Sequence, residues 1–266
     1  MNFKTIALSL VALATAGSAN AVELIVNGSF NSVNPANAGS GDILSGDGFA
    51  NLSNDSGFVT GWTVRDHSFE PNTGHVAQAW YIPNGQADTV PSTGPWYNGW
   101  ALHGPATGNA NGMGPSPDGG ALIEIDGGGD YRASIDQTLT GLTIGKSYVV
   151  KFYWAGGQQS CCSGTTTEQL QVGFGGSTQS TAVWNNPDGG FSGWFSESFT
   201  FVADAASQTL SFLAVGTPYG YPPVALLDGV SVTDAVPEAA TWAMMIAGFG
   251  LVGVAARRRR STTIAA

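Results

Sequence analysis

The sequence predicts an all-β protein, an antiparallel jelly roll or β-sandwich, with a signal peptide before it and a transmembrane helix after it. Three observations support this prediction. First, short segments of alternating apolar and polar residues follow one another through the second half of the chain. Alternation turns one face of each strand inwards, and two packed sheets bury that face. Second, 38 glycines, 13 prolines and only 11% charged residues are typical of short strands with many turns. Third, an uncharged apolar run lies near each end of the chain.

Turn residues between the apolar segments mark where each predicted strand ends. ELIVNGSF at 23–30 is predicted to be a short apolar strand ending in Asn-Gly, and GWTV at 61–64 a second. Residues 65–118 show little periodicity and are predicted to form a long loop. Beyond the loop the alternation is clear, and the whole exported domain is predicted to have about nine or ten strands and no helix. The later strands are ALIEID, SIDQTLTGL, SYVVKFYWAG, 168–174, TAVW at 181–184, 193–202, 208–215 and 224–233.

Residues 1–21 have the three parts of a secretory signal peptide. Lys4 supplies the positive charge, residues 6–16 the apolar run, and ANA at 19–21 the small-residue cleavage site. Val22 is therefore expected to begin the mature protein. The predicted partners of this segment are the secretion machinery and signal peptidase.

Residues 236–260 are predicted to anchor the chain in the inner membrane. Residues 239–256 carry no charge, and eighteen residues of helix span about 27 Å, close to a bilayer core of about 30 Å. Trp242 is placed as an interfacial anchor, and the arginines that follow the span are expected to stay cytoplasmic. These arginines are Arg257, Arg258, Arg259 and Arg260. The domain before the helix is therefore expected outside the cytoplasm, and 261–266 form a tail. The alternative is a buried core helix, although such helices are rarely apolar on every face.

Pro237-Glu238, the apolar span and the arginine block together resemble the PEP-CTERM sorting signal of Gram-negative, exopolysaccharide-producing bacteria. The resemblance implies that an exosortase, a transpeptidase-like membrane enzyme, recognises the Pro-Glu-Pro motif and processes the chain there. This sequence departs from the motif at Ala239, which stands where the second proline is expected. The resemblance also implies a membrane-anchored precursor that is later delivered to the cell surface or extracellular matrix.

The predicted exported domain, residues 22–235, is strongly acidic. It contains 18 acidic residues and only four basic ones, Arg65, Arg132, Lys146 and Lys151. Such a surface repels the phosphates of nucleic acids and the headgroups of anionic lipids. Binding to nucleic acid is therefore excluded, whereas calcium and neutral glycans remain compatible partners.

The two cysteines of the chain, Cys161 and Cys162, are adjacent. Neighbouring Cα atoms are about 3.8 Å apart, which is below the usual disulfide range of roughly 4.4 to 6.8 Å. An ordinary disulfide that closes a long loop is therefore excluded. In an oxidising compartment the pair can form a vicinal disulfide, bond between chains or stay reduced.

A second resemblance covers nearly the whole exported region. ELIVNGSF, PDGGALIEID and LLDGVSVT resemble segments of the galactose-binding-like jelly-roll family, many of whose members are carbohydrate-binding modules. In related jelly rolls a calcium ion often ties the first strand to the last. The resemblance places such a structural calcium at the carbonyl of Gly28, at Asn31 and at Asp228. Asn31 stands where members commonly have glutamate, so one negative ligand is missing and binding should be weaker. No other cofactor is predicted.

The long loop is rich in aromatic residues, which argues against disorder. The apolar C–H face of a sugar ring packs against an aromatic face, so these rings are candidate glycan-binding residues. They are Trp80, Tyr81, Trp96, Tyr97 and Trp100. Nearby polar side chains that could bond sugar hydroxyls are Gln78, Asn84, Asp88 and Asn98. The alternative is that the rings only cover one end of the sandwich.

Two further groups of polar residues are predicted to have ordinary structural roles. Glu124 and Asp126 share one face of a strand, and paired carboxylates can hydrolyse glycosides, but a solvated strand end is the favoured interpretation. His67, His75 and His103 lie in the long loop without the spacing of a zinc motif, so they are expected to be polar loop residues.

These observations favour a non-enzymatic, exported β-sandwich, associated with the cell surface or exopolysaccharide, that binds glycans or mediates adhesion. One alternative is a purely structural matrix protein whose aromatic loop only packs. Another is a glycoside hydrolase that uses Glu124 and Asp126.

Overall fold

The computed structural model describes residues 22–37, 50–52, 57–69, 77–83, 102–104, 112–235, 247–254 and 257. In these residues the predicted antiparallel β-sandwich is confirmed, because the strands form two sheets and every strand pair in them is antiparallel. The predicted signal peptide lies outside the described residues.

Sheet 1 has the strand order β1-β3-β4-β12-β6-β10, and sheet 2 has the order β2-β5-β11-β7-β8, with β9 also paired to β7. The strands are β1 (Ala50–Asn51), β2 (Thr63–Asp66), β3 (Ala79–Ile82), β4 (Leu122–Asp126), β5 (Ala133–Thr140), β6 (Ser147–Gln158), β7 (Thr166–Phe174), β8 (Ser177–Ser180), β9 (Trp184–Asn186), β10 (Phe195–Val202), β11 (Ser207–Thr217) and β12 (Pro223–Asp234). A short 3-10 helix covers Pro35–Asn37. From β4 to β7 and from β10 to β12, consecutive strands alternate between the two sheets, as in a jelly roll.

Two predicted elements in the first half of the chain are wrong. The predicted strand at 23–30 makes only an isolated bridge, between Glu23 and Thr233. Its course is broken by Asn27 and Phe30, whose φ angles of 57° and 52° are left-handed. The predicted long loop contains β3, in which all four residues are buried, so no alternation marks it as a strand. Nearer the C terminus, the strand predicted at 181–184 is displaced to β9.

The main core lies between the two sheets. On β7, for example, Leu170, Val172 and Phe174 are buried and belong to the core, while the residues between them are half-buried. On sheet 1, Ile123 and Ile125 of β4 face the same core. Because alternate residues share a face, this register also fixes which polar residues of β4 and β7 point inwards and which point outwards.

A second apolar cluster covers part of the outer face of sheet 1. Its members alternate along the strands with residues of the main core, so they point away from it. They are Trp80, Ile82, Leu102, Leu122, Ala155, Val224 and Leu226, with Met113, Phe191 and Trp194 packed against them. This part of sheet 1 is therefore buried on both faces.

The start of the domain lies beside the end of β12. Glu23 Oε1 accepts a hydrogen bond from Val232 N–H at 2.8 Å, and Glu23 Oε2 accepts one from Ser231 Oγ at 2.6 Å. The twelve residues of β12 span about 36 Å, since a strand rises about 3.3 Å per residue. Pro223, at the other end of β12, is thus far from the segment in which the sorting signal begins.

Residues 247–254 are helical. Within the described residues, no helix combines the length and the apolar character needed to cross a membrane. Of the sorting-signal residues, Arg257 is helical. The others, which lie outside the described residues, are Pro237, Glu238, Trp242, Arg258, Arg259 and Arg260.

Candidate functional site

A groove of about 580 Å³ lies at one end of the sandwich, where β7 and β12 begin and β11 ends. All described residues that line it are uncharged, and most carry a hydroxyl or amide group. They are Thr165, Thr166, Thr167, Asn185, Asn186, Pro187, Thr217 and Pro218. The groove is therefore polar without being charged.

The strand register explains why these side chains meet. Thr167 of β7 pairs with Asn185 of β9 on one side and with Thr217 of β11 on the other, which makes a polar row across three strands. The hydroxyl oxygens of Thr167 and Thr217 are 2.7 Å apart and share a hydrogen bond. The neighbouring pair, Thr166 and Asn186, points to the opposite face, towards the interior of the sandwich.

Glu168 lies beneath the groove and is only 1% exposed. Its Oε1 accepts a hydrogen bond from Thr166 Oγ1 and another from Asn186 Nδ2 at 3.4 Å. Its Oε2 has no hydrogen-bond partner in the described part of the chain. Burial raises the pKa of Glu168 to about 7, and the hydrogen bonds from Thr166 and Asn186 act in the opposite direction.

Space for the Glu168 carboxyl comes from a glycine on the facing sheet. A Cβ at Gly156 would stand 3.2 Å from Glu168 Oε2 and 3.1 Å from Trp184 Cδ1. The indole nitrogen of Trp184 and Oδ1 of Asn186 are also buried without a hydrogen-bond partner in the described residues. Unpaired polar atoms thus gather below the groove, which is unusual for a protein interior.

Two exposed aromatic residues lie close in the chain to residues of the groove. Tyr219, next to the groove residue Pro218, is 48% exposed, and Tyr221 is 42% exposed. The ring of Tyr219 packs edge-on against Phe69, with 5.1 Å between centroids. Gly164 precedes the groove residue Thr165, and a Cβ there would stand 3.1 Å from the ring of Tyr221. These rings are candidates for contact with the apolar face of a sugar.

Hydrogen bonds join two loops that border the groove, residues 159–165 and residues 187–194. Gln158 donates a hydrogen bond to the carbonyl of Gly164 at 3.0 Å and accepts one from Gly189 N–H at 2.8 Å. Asp188 Oδ1 accepts a hydrogen bond from Gly164 N–H at 2.7 Å. The first of these loops also contains the two cysteines. These bonds restrict the movement of both loops relative to the groove.

Cys161 and Cys162 form a vicinal disulfide in the structure. The carbonyl oxygen of Cys162 lies 3.0 Å from Nε2 of His103, so the ring and the loop are hydrogen-bonded. This disulfide closes no long loop, and its two cysteines are not among the residues that line the groove.

The predicted glycan platform is wrong for two of its five rings. Trp80 and Tyr81 lie in β3 and are only 3% and 7% exposed, because Trp80 packs in the outer cluster and Tyr81 in the main core. A sugar ring cannot stack on either side chain in that position. The other three predicted rings, Trp96, Tyr97 and Trp100, lie outside the described residues, as do Asn84, Asp88 and Asn98.

The interpretation of Glu124 and Asp126 as a solvated strand end is also wrong. Both carboxyls are buried, Glu124 with 2% exposure and Asp126 with 3%, because the outer face of β4 is covered. Burial, followed by the charge of Asp126, raises the pKa of Glu124 well above its ordinary value. Burial also raises the pKa of Asp126 to about 7, although Gly128 N–H donates to its Oδ1 at 2.6 Å.

The residues of the predicted calcium site are bonded within the protein. The carbonyl of Gly28 accepts from Val230 N–H at 3.0 Å, and Asn31 Oδ1 accepts from Ala121 N–H at 2.8 Å. The carboxylate of Asp228 accepts hydrogen bonds from Ser116 Oγ and from its neighbour's N–H, and burial raises its pKa to about 7. The calcium site therefore stays a prediction.

The described histidines have ordinary polar contacts. His67 Nε2 lies 3.0 Å from Ser134 Oγ, and burial lowers the pKa of His67. His103 bonds to the disulfide loop as described above. His75 lies outside the described residues, among which no group of three or more His, Cys, Asp or Glu side chains could hold a metal ion.

The family comparison identifies one segment of the chain. Residues 235–260 match the PEP-CTERM protein-sorting motif, which confirms the predicted resemblance. The molecule is thus a β-sandwich protein that carries a PEP-CTERM sorting motif at its C-terminal end. A comparison with curated protein sequences finds no match.

Solved structures with similar folds include carbohydrate-binding modules. TmCBM61, solved with β-1,4-galactotriose, has 11% identity and a TM-score of 0.38, over 79% of this chain and 97% of that one. The CBM22-1 xylan-binding domain of Xyn10C from Paenibacillus barcinonensis has 12% identity and a TM-score of 0.28, over 58% and 92%. The K3 cleaved adhesin domain of Lys-gingipain from Porphyromonas gingivalis has 10% identity and a TM-score of 0.34, over 70% and 99%.

Proposed function

We propose that the protein is a non-catalytic, exported glycan-binding protein that is sorted to the cell surface or exopolysaccharide matrix through its PEP-CTERM motif. An exosortase-type enzyme would process the motif, and the groove at the end of the sandwich would bind the glycan. The observation that carries the proposal is the groove lining, in which hydroxyl and amide groups from three strands meet without a charged side chain among the described residues.

The chemistry of the groove suits a sugar. Threonine hydroxyls and asparagine amides can both donate and accept hydrogen bonds, which matches the hydroxyl groups of a glycan. The exposed rings of Tyr219 and Tyr221 offer flat apolar surfaces beside these polar groups. A concave site with a few placed polar groups and neighbouring aromatic rings is the usual arrangement for a small ligand.

The position of the groove suits an anchored protein. The groove lies near the start of β12, whereas the sorting motif follows the end of that strand, about 36 Å away. While the C-terminal segment is held at the membrane, the groove would therefore face away from it. Many copies anchored in this way would strengthen individually weak glycan contacts by multivalency.

Titration of the processed protein with a panel of neutral oligosaccharides, followed by tryptophan fluorescence, tests the proposal. Trp184 precedes the groove residue Asn185 and should report binding. We expect a saturable change, weakened in Thr165→Ala and unaltered in Thr178→Ala, an exposed threonine of β8 outside the groove. The absence of a saturable change with any member of the panel would contradict glycan binding and favour a purely structural matrix protein.

The hydrolase alternative makes a different prediction. Glu124 and Asp126 are buried beneath the outer cluster, where they cannot contact a sugar without rearrangement of that face. We therefore expect no turnover on a broad glycan panel. Turnover that is lost in Glu124→Gln would contradict the non-catalytic assignment.

A further inference from the structure

Two residues of the groove share their hydrogen bonds with a buried carboxyl. Thr166 and Asn186 both line the groove, and both donate to Oε1 of Glu168. Their side chains are buried and point to the interior, so the carboxyl lies behind the wall of the groove. A charged ligand group at this wall would stand roughly 6 Å from the carboxyl, since at least one side chain and one hydrogen bond separate the two.

The unpaired atoms below the groove include two acceptors. Glu168 Oε2 and Asn186 Oδ1 are buried and lack a donor within the described residues. Neither atom can be reached from the groove, but unpaired acceptors make the electrostatic potential beneath it negative, which favours ligand groups that can turn a hydrogen towards it over groups that only accept. Sugar hydroxyls can donate, whereas ionised carboxylate and sulfate groups can only accept.

Within the described part of the chain, no positively charged side chain contributes to the pKa of Glu168. The described groups that face Glu168 are Thr166 of β7, Asn186 and Trp184 of β9 and Gly156 of β6, none of which is ionisable in the ordinary pH range. The whole of 22–235 is also acidic. An acidic ligand group about 6 Å from the ionised Glu168 would therefore be repelled, because the partly buried setting screens the two charges less than water does.

We propose that Glu168 makes the groove selective for uncharged glycans that present hydroxyl donors, and against acidic glycans. This inference rests on the proposed function, because it names the ligand class of the same groove. Glu168 acts as a specificity-determining residue: it holds Thr166 and Asn186 in position and opposes a negative charge above them.

A matched pair of polymers tests the inference. The first is a neutral polysaccharide that binds in the fluorescence titration, and the second is the same polymer with part of its primary hydroxyls oxidised to carboxylates. At about pH 8.5, where Glu168 is ionised, we expect the processed wild-type protein to bind the neutral polymer about tenfold more tightly. Glu168→Gln should remove most of this preference, whereas Glu197→Gln, which removes one negative charge from the edge strand β10, should leave it unchanged.

The pH dependence of the wild-type protein gives a second readout that needs no variant. Because the pKa of Glu168 is raised to about 7, its charge is largely absent at about pH 5.5 and present at about pH 8.5. The polymer carboxylates, with ordinary pKa values, are ionised at both. The preference for the neutral polymer should therefore grow as the pH rises, and this comparison decides the matter if Glu168→Gln does not fold.

The outcomes separate this inference from the proposed function. A preference that neither Glu168→Gln nor pH alters overturns the role of Glu168. Equal affinity of the wild-type protein for the two polymers also overturns it, while glycan binding itself stands. If neither polymer binds, the proposed function fails and the inference fails with it.

Discussion

Glu124 and Glu168 are alike in several respects and differ in their surroundings. Each is almost fully buried, each has one carboxylate oxygen without a hydrogen-bond partner among the described residues, and burial raises the pKa of each. Glu124, however, lies on the outer face of sheet 1, with Trp80 and Leu226 as its neighbours across β3 and β12. Glu168 lies between the sheets, bonded to two residues of an open groove.

The comparison shows that burial and a raised pKa do not by themselves define a binding site. Both features follow from removing a carboxyl from water. The region of Glu168 differs because hydroxyl and amide groups connect the carboxyl to a groove that a ligand can enter, whereas the described neighbours of Glu124 are mainly apolar. We therefore assign a structural role to the outer face at Glu124 and a binding role to the groove.

Trp80→Ala should produce the largest loss of stability. It tests the structural role that we assign to the outer face beside Glu124. Removing a buried tryptophan costs about 3 to 5 kcal/mol of unfolding free energy, which urea denaturation would measure. The folded fraction should still bind glycan with unchanged Kd, since Trp80 is not part of the groove. Ile144→Ala, at a side chain that is 66% exposed and outside the groove, is the stability control. A stable Trp80→Ala variant that has lost glycan binding would move the site to the outer face.

Stability should also depend on pH, with a sign set by the buried carboxyls. The pKa of Glu124 is raised well above its ordinary value, and those of Asp126, Glu168 and Asp228 are raised to about 7. Each keeps its proton in the folded protein at pH values where the unfolded chain has lost it. The stabilisation is therefore complete below about pH 4 and decreases as the pH rises towards 7.

Thermal unfolding at pH 5 and pH 8 would measure this decrease. We expect a higher Tm at pH 5, and a smaller difference between the two values in Glu124→Gln, because glutamine has no proton to lose. Glu197→Gln, at a half-buried position on β10, should leave the difference as in the wild type. A Tm that increases from pH 5 to pH 8 would show that these carboxyls do not have raised pKa values.

Thr217→Val should have the smallest effect of these variants, a modest weakening of glycan binding. It tests whether a hydroxyl group of the groove contacts the ligand. Valine keeps the shape of threonine but lacks the hydroxyl that bonds to Thr167 and faces the groove. Losing one hydrogen bond to a ligand is worth about 0.5 to 1.5 kcal/mol, or roughly a twofold to tenfold weaker Kd. Calorimetry would measure this change, with Thr178→Val as the matched control. A Kd unchanged by Thr217→Val would remove that hydroxyl from the ligand contacts.

The sequence predicts the fold best where only one face of a strand is buried. On β7, β10 and β11, inward apolar residues alternate with more exposed ones, and the strands lie close to their predicted positions. The pattern fails on β3, because the outer cluster buries its second face and no alternation remains. At 23–30 the apolar composition predicted a strand, but the left-handed residues Asn27 and Phe30 turn the chain instead.

The groove could not be predicted from its parts, although two signals are present in the sequence. Its segments at 165–167, 185–187 and 217–218 are far apart and meet only through the register of three strands. The first signal is the run of three threonines at 165–167, where β7 begins. The second signal is Glu168, which the alternation of β7 places on the same face as Leu170 and Val172. A charged residue on an apolar face indicates a buried polar site.

Hydrogen–deuterium exchange of the processed protein, with and without a bound neutral glycan, tests the central claim most directly. If the groove is the binding site, the glycan should slow exchange at 165–167, 185–187 and 217–219 and leave β3 and β4 unchanged. Protection confined to β3 and β4, with none at the groove segments, would contradict the claim and place the ligand on the outer face beside Glu124.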